Sequence, residues 1–181
     1  LMIDSAAEIR KKIKDCQFIL PVAKTLNSDI FRERLKVNPL DIRIVDGKSH
    51  DVMNCCDFLI VASGSATLEA GLLGCPMVIV YRLNSVTYWL ARVLIKIKLY
   101  GLVNIVAKEE VVTELIQNKA TVENITKEAM KILNDPEKEK DMRSRLLQVR
   151  NSLGEPGVLD RTAMRMLEFL RERRQDEKVS I

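Results

Sequence analysis

An α/β fold with a parallel sheet flanked by helices is the class this sequence predicts, and three observations predict it. Short apolar runs of strand length recur as far as Tyr81, separated by segments with helical periodicity. The runs are near-continuously apolar rather than alternating, as in strands buried on both faces. Several end in small or polar residues (Val22-Ala23, Asp46-Gly47, Ser63-Gly64, Tyr81-Arg82), where a parallel sheet presents its ligand-binding edge.

Each element has its own justification. Asp4 or Ser5 is expected to cap a first helix, with Ser5 and Glu8 in capping-box spacing, and that helix ends near Asp15. Residues 16–22 read as a strand, and 27–37 as an amphipathic helix with Ile30, Phe31 and Leu35 inward. A strand at 41–45 closes on the Asp46-Gly47 turn, and Ser49 is expected to cap a short helix at 49–55. A strand at 57–62, a helix at 65–73 and a strand at 77–81 follow. From Thr121 the pattern is helical: 121–134, 137–153 and 158–173, with 171–178 a frayed charged end. The expected organisation is an α/β domain at 1–120 and a helical C-terminal tail at 121–181 packing on the same domain.

Composition narrows the function classes. The 181 residues are 47% hydrophobic and 30% charged, with seven glycines and five prolines, which suits one globular unit with a sizeable core. Net charge is +4, and only three Tyr, four Phe and one Trp are available for base stacking, so nucleic acid is not the expected partner. The distribution of charge says more: 70–107 holds no acidic residue but carries Arg82, Arg92, Lys96 and Lys98. Within it, 86–98 has helical apolar spacing. It reads either as a core helix with a basic edge or as a helix resting on an anionic membrane surface.

Cys16, Cys55, Cys56 and Cys75 form no Cys-x-x-Cys pair, and His50 is the sole histidine, so neither zinc nor another metal is expected. Cys56 and Cys75 read as small buried hydrophobes. The chain reads as reduced and cytoplasmic, with no signal peptide and no uncharged apolar run of about 18 residues. It begins at Leu1, close to a helix, and is expected to be a piece of a longer protein.

Three motifs invite a nucleotide reading. Gly47-Lys48-Ser49 follows a strand, but a P-loop needs a glycine where Ile42 stands. The Gly-x-Gly-x-x-Gly dinucleotide fingerprint is absent, as is any Asp-x-Asp metal clamp. The segment from Ser63 to Glu69 is stronger. A strand passes through Ser63-Gly64-Ser65 into a helix whose first N–H groups have no intrahelical acceptor, a natural seat for a diphosphate. Glu69 lies about one turn further on, within reach of a sugar hydroxyl. The plainer alternative is a tightly packed strand–helix turn. His50 finds no partner in the local pattern and reads as a helix start or pocket wall.

Taken together, Val61-Ala-Ser-Gly-Ser-Ala-Thr-Leu-Glu-Ala70, Pro76-Met-Val-Ile-Val-Tyr-Arg82, Thr87-Tyr-Trp-Leu-Ala91 and Gly101-Leu-Val-Asn-Ile105 resemble the lipid-A-disaccharide synthase family. Phe18-Ile-Leu-Pro-Val-Ala23 and Val45-Asp-Gly47 fit the same pattern, in register from about 16 to 120. The resemblance implies the C-terminal, UDP-binding half of an inverting, metal-independent glycosyltransferase built of two Rossmann-like domains. It joins UDP-2,3-diacylglucosamine to 2,3-diacylglucosamine 1-phosphate, giving the β-1,6-linked lipid A disaccharide and UDP. By resemblance, Gly64, Ser65, Ala66 and Thr67 cradle the diphosphate, Ser63 belongs to the same UDP-binding set, Glu69 accepts from the ribose, Tyr81 and Arg82 stand at the rim, and Asn104 is the active-site asparagine. UDP-diacylglucosamine, UDP and the acyl-sugar phosphate acceptor are the implied ligands. The missing N-terminal half is an implied partner, and so is the inner face of the bacterial inner membrane, reached through Val86 to Lys98. A homodimer is left open.

Two departures accompany the resemblance. The family's C-terminal half opens with a strand ending in a Gly-Ser-Arg turn, which nothing here matches. The half that supplies the catalytic carboxylate is also absent. The chain alone is therefore expected to bind UDP weakly and to catalyse nothing. Other readings are a different UDP-N-acetylglucosamine-using transferase or epimerase of the same fold, or a non-catalytic nucleotide-binding module.

Overall fold

The computed structural model describes residues 1–36, 40–83, 99–155 and 157–179, with side chains as far as Arg171. The basic helix expected at 86–98, with its Thr87–Ala91 motif, lies outside the described residues. Helix α1 (Met2–Lys12) leads to β1 (Phe18–Val22), α2 (Asp29–Lys36), β2 (Ile42–Asp46), α3 (Ser49–Cys55), β3 (Leu59–Ala62), α4 (Ser65–Leu72) and β4 (Met77–Tyr81). Then come α5 (Leu102–Ala107), β5 (Glu114–Ile116), a 3-10 turn (Gln117–Lys119), α6 (Val122–Leu133), α7 (Pro136–Ser152) and α8 (Val158–Val179).

Among the described residues all pairings are parallel, as near-continuous apolar strands joined by helical crossovers require. The strands form two hydrogen-bonded sets where one was expected. β1 pairs with β2, Phe18 opposite Ile42, and β4 lies between β3 and β5, Val80 opposite both Ala62 and Leu115. Among the described residues β1 and β3 thus each keep one edge without a strand partner.

Strand β4 is the most buried element, and its period of two divides the core. Met77 and Ile79 face one cluster with Ala70, Val103, Met142, Leu146 and Val149. Val78 and Val80 face another with Leu115, Ala120 and Ile125. The helices that supply these partners thus cover both faces of this sheet. Helix α7 buries Met142, Leu146 and Val149 at helical spacing and keeps its charges outward. Helix α1 buries Ser5, Ala6 and Ile9 and packs on α6.

The chain divides into two compact units, 1–150 and 151–181. Helices α6 and most of α7 belong to the first. The second contains α8, which continues to Val179 where fraying was expected beyond Arg171 and exposes Leu159, Met166, Leu167, Phe169 and Leu170.

Several local expectations change. Helix α1 starts at Met2, so Ser5 is inside it, with its hydroxyl donating to the Leu1 carbonyl at 2.8 Å rather than capping. Ser49 is the first residue of α3, with Lys48 at the cap. Ile30 is exposed, because α2 buries no side chain. Helix α5 and strand β5 fall where the pattern predicts no element; six and three residues are too few to show periodicity.

Cys75 is buried, and Cys56 is partly so. Burial pushes the Cys75 thiol up to about 12, and burial together with neighbouring Cys55 pushes Cys56 up to about 11. Thiols raised in the folded state contribute stability that is complete below their unfolded pKa of roughly 8.5 and is lost as pH rises through the folded values. Unfolding free energy from urea titrations should therefore fall between about pH 8.5 and pH 11. Cys75→Ala should make that fall shallower.

Candidate functional site

The site is built at the carboxyl end of β3. After Ala62 the chain makes one more sheet bond, Ser63 N–H to the Val80 carbonyl at 3.1 Å, and then turns at Gly64. Gly64 caps α4 in an extended conformation (φ 161°, ψ −166°), which any residue can adopt. A Cβ placed on it would meet nothing within 4 Å. The fold therefore does not require glycine there, and the space beside it is open for close approach to the backbone.

No side chain caps α4, so the N–H groups of Ser65 and Ala66 point out of its first turn. Thr67 behaves differently from these two. Its N–H and its hydroxyl both donate to the Gly64 carbonyl, at 3.2 and 2.8 Å, and its side chain is buried. Of the four residues expected to cradle an anion, Ser65 and Ala66 offer the outward amides, Gly64 the open space, and Thr67 the internal brace. Glu69, a turn further on, is partly exposed and meets His50 Nε2 at 2.9 Å from its Oε2.

The turn is held from behind by a partly buried network. Ser63 Oγ donates to the Tyr100 carbonyl at 3.0 Å. The N–H groups of Tyr100 and Gly101 donate to the two oxygens of Glu114 at 2.8 and 2.9 Å. Asn104 completes the network. Its Nδ2 donates to Glu114 and to the Val112 carbonyl, both at 2.8 Å, and its Oδ1 accepts from Val111 and Val112 N–H at 2.9 and 3.0 Å. The whole side chain is buried and its hydrogen-bonding capacity is used. In this arrangement Asn104 braces the loop and presents no atom to a substrate.

Two glycines allow the approach. A Cβ on Gly101 would lie 2.3 Å from Ile79 Cδ1 and 3.2 Å from Glu114 Oε1, and one on Gly71 would lie 2.6 Å from Val103 Cγ2. Tyr81 ends β4 beside the Ser63 turn, and Arg82 follows it. The Arg82 guanidinium reaches the Ala120 carbonyl, and Leu83 exchanges two hydrogen bonds with Gln117.

Gly64 and Ser65 are the exposed residues of the Ser63–Glu69 turn. A polar cavity of about 480 Å³ lies elsewhere, at the amino ends of β1 and β2, lined by Arg10, Asp41 and Arg43 among others. Parallel sheets bind ligands at the opposite, carboxyl ends. Among the described residues, no three His, Cys, Asp or Glu side chains gather as a metal set. Nor is any described helix long and apolar enough to cross a membrane.

The sequence profile of the lipid-A-disaccharide synthetase family matches residues 1–164. The chain belongs to that family. It is 38% identical over 170 residues to the lipid-A-disaccharide synthase of Geobacter sulfurreducens, covering 94% of this chain and 44% of that one. To the lipid-A-disaccharide synthase of Nitrosococcus oceani it is 38% identical over 154 residues, covering 85% and 40%. The chain thus spans less than half the length of these curated relatives. In structure it resembles a putative UDP-N-acetylglucosamine 2-epimerase from Listeria monocytogenes, with a TM-score of 0.54 and 16% identity over 78% of this chain and 34% of that one. At that identity the likeness concerns the fold alone.

Glu114 and Tyr100 were not singled out from the sequence, because Glu114 looks like any surface acid and Tyr100 acts through its backbone. The buried amide at the centre of the network makes its own prediction. Asn104→Ala strands buried N–H and carbonyl groups and should cost about 2–4 kcal/mol of unfolding free energy in urea. An asparagine acting only on substrate would leave that quantity unchanged.

Proposed function

We propose that this chain is the UDP-sugar donor half of an inverting, metal-independent glycosyltransferase that makes the lipid A disaccharide. The observation that carries the reading is the Ser63-Gly64-Ser65 turn, which opens α4 with uncapped amides and free space at Gly64, in a chain of this family. The substrates are UDP-2,3-diacylglucosamine and 2,3-diacylglucosamine 1-phosphate. The acceptor's 6-oxygen forms the new bond to the anomeric carbon as the bond from that carbon to the diphosphate breaks. The acceptor proton passes to a base outside this chain.

Negative charge grows on UDP as it leaves. The Ser65 and Ala66 amides and the positive end of α4 are fixed dipoles that stabilise this charge without a metal ion. Glu69 accepts from the ribose hydroxyls, while Tyr81 and Arg82 border the site. Asn104 and Glu114 hold the loop behind it, so Asn104 serves the reaction by positioning. A second Rossmann-like half supplies the acceptor site and the catalytic carboxylate. The basic segment 86–98 meets the cytoplasmic face of the inner membrane, where the acylated substrates reside. Helix α6 and α7 as far as Arg150 complete the donor domain.

UDP titration followed by amide NMR tests the reading. Shifts should centre on 63–69, with affinity in the millimolar to sub-millimolar range, about −4 to −5 kcal/mol, and Glu69→Ala should weaken it. Flat spectra from the folded chain, or shifts confined to the Arg10–Arg43 cavity, would overturn it. Gly64→Ala separates site from fold. It should cost no more than about 1 kcal/mol of stability yet remove most of the UDP-induced shifts, because its Cβ fills the space the diphosphate needs.

A further inference from the structure

His50 and Glu69 come from different elements and meet at one rim. His50 is the second residue of α3, just beyond the carboxyl end of β2, and Glu69 lies one turn into α4, beyond the carboxyl end of β3. The imidazole Nε2 is 2.9 Å from Glu69 Oε2. The two side chains remain 69% and 41% exposed. An exposed pair of this kind adds little to folding stability, so its consequence is geometric.

A glutamate on a helix surface samples several rotamers, and ordering it on a ligand costs side-chain entropy. The imidazole restricts Glu69 in advance. It occupies Oε2 and leaves Oε1 without a partner among the described residues. Donation from Nε2 is available to the imidazolium and to the neutral Nε2–H tautomer, so the contact does not require a charged His50. Packing of α3 against α4 keeps the two side chains within reach of each other.

We propose that His50 is a positioning residue for ribose recognition, holding Glu69 so that its free oxygen accepts from a hydroxyl of the nucleotide sugar. The inference rests on the nucleotide reading of the Ser63–Glu69 turn. It adds a residue to the site whose effect depends on the ligand having ribose hydroxyls.

NMR titrations with UDP and with 2′,3′-dideoxy-UDP, which lacks both hydroxyls, provide the test. His50→Ala should weaken UDP binding roughly threefold to fivefold and leave the dideoxy nucleotide unaffected. His50→Gln, which keeps an N–H donor, should restore most of the loss. His50→Ala should add nothing to Glu69→Ala, since both act through one carboxylate. An equal loss for both nucleotides, no loss for UDP, or additive effects in the double variant would overturn the inference while leaving the nucleotide site standing. If the unmodified chain binds neither nucleotide at the turn, the site reading falls and the inference falls with it.

Discussion

Asn104 is the side chain on which the placement of the candidate site depends. It is fully buried, and its amide joins the 111–112 backbone to Glu114. Glu114 in turn holds the Tyr100 and Gly101 amides, and the Tyr100 carbonyl receives Ser63 at the start of the turn. A polar chain of this kind, anchored on a buried amide, is strong when every member is satisfied and costly when the buried one is removed. With all four of its hydrogen bonds made inside the protein, Asn104 fixes where the turn sits.

The apolar contacts around this network serve the same placement. Helix α4 meets α5 through the Gly71–Val103 contact, where no side chain larger than hydrogen fits without movement. At its far end the Gly74 carbonyl accepts from Arg143 on α7 at 3.0 Å. Strand β4, buried on both faces, sets the level at which Ser63 leaves the sheet. The amides at the start of α4 are thus presented by a helix fixed at its beginning, middle and end. Fixed dipoles of that kind need little reorganisation when charge arrives, and this is what gives them value in group transfer.

Much of this was legible in the sequence, and the reasons for the rest are physical. The alternation of apolar runs and helical segments predicted the α/β class, and α3 and β4 fall on the expected residues. The Ser63–Glu69 turn could be read because its chemistry is local. Partnerships between distant residues could not be read that way. His50 and Glu69 are 19 positions apart, and Ser63 and Tyr100 are 37 apart. Nothing in either local pattern announces the other. Asn104 was visible only through family likeness, which marks the position but not whether its amide faces a ligand or the core. Ser5 misled because a serine–glutamate spacing that suits a cap also suits a buried serine bonded back along its own helix.

A crystal structure of the chain with UDP would decide whether the uncapped start of α4 receives the diphosphate. Diphosphate oxygens should lie within hydrogen-bonding distance of the Ser65 and Ala66 amides, with the ribose against Glu69 and the Asn104–Glu114 network unchanged. UDP seated instead in the polar cavity beside Arg10 and Arg43, with the first turn of α4 left to solvent, would contradict it.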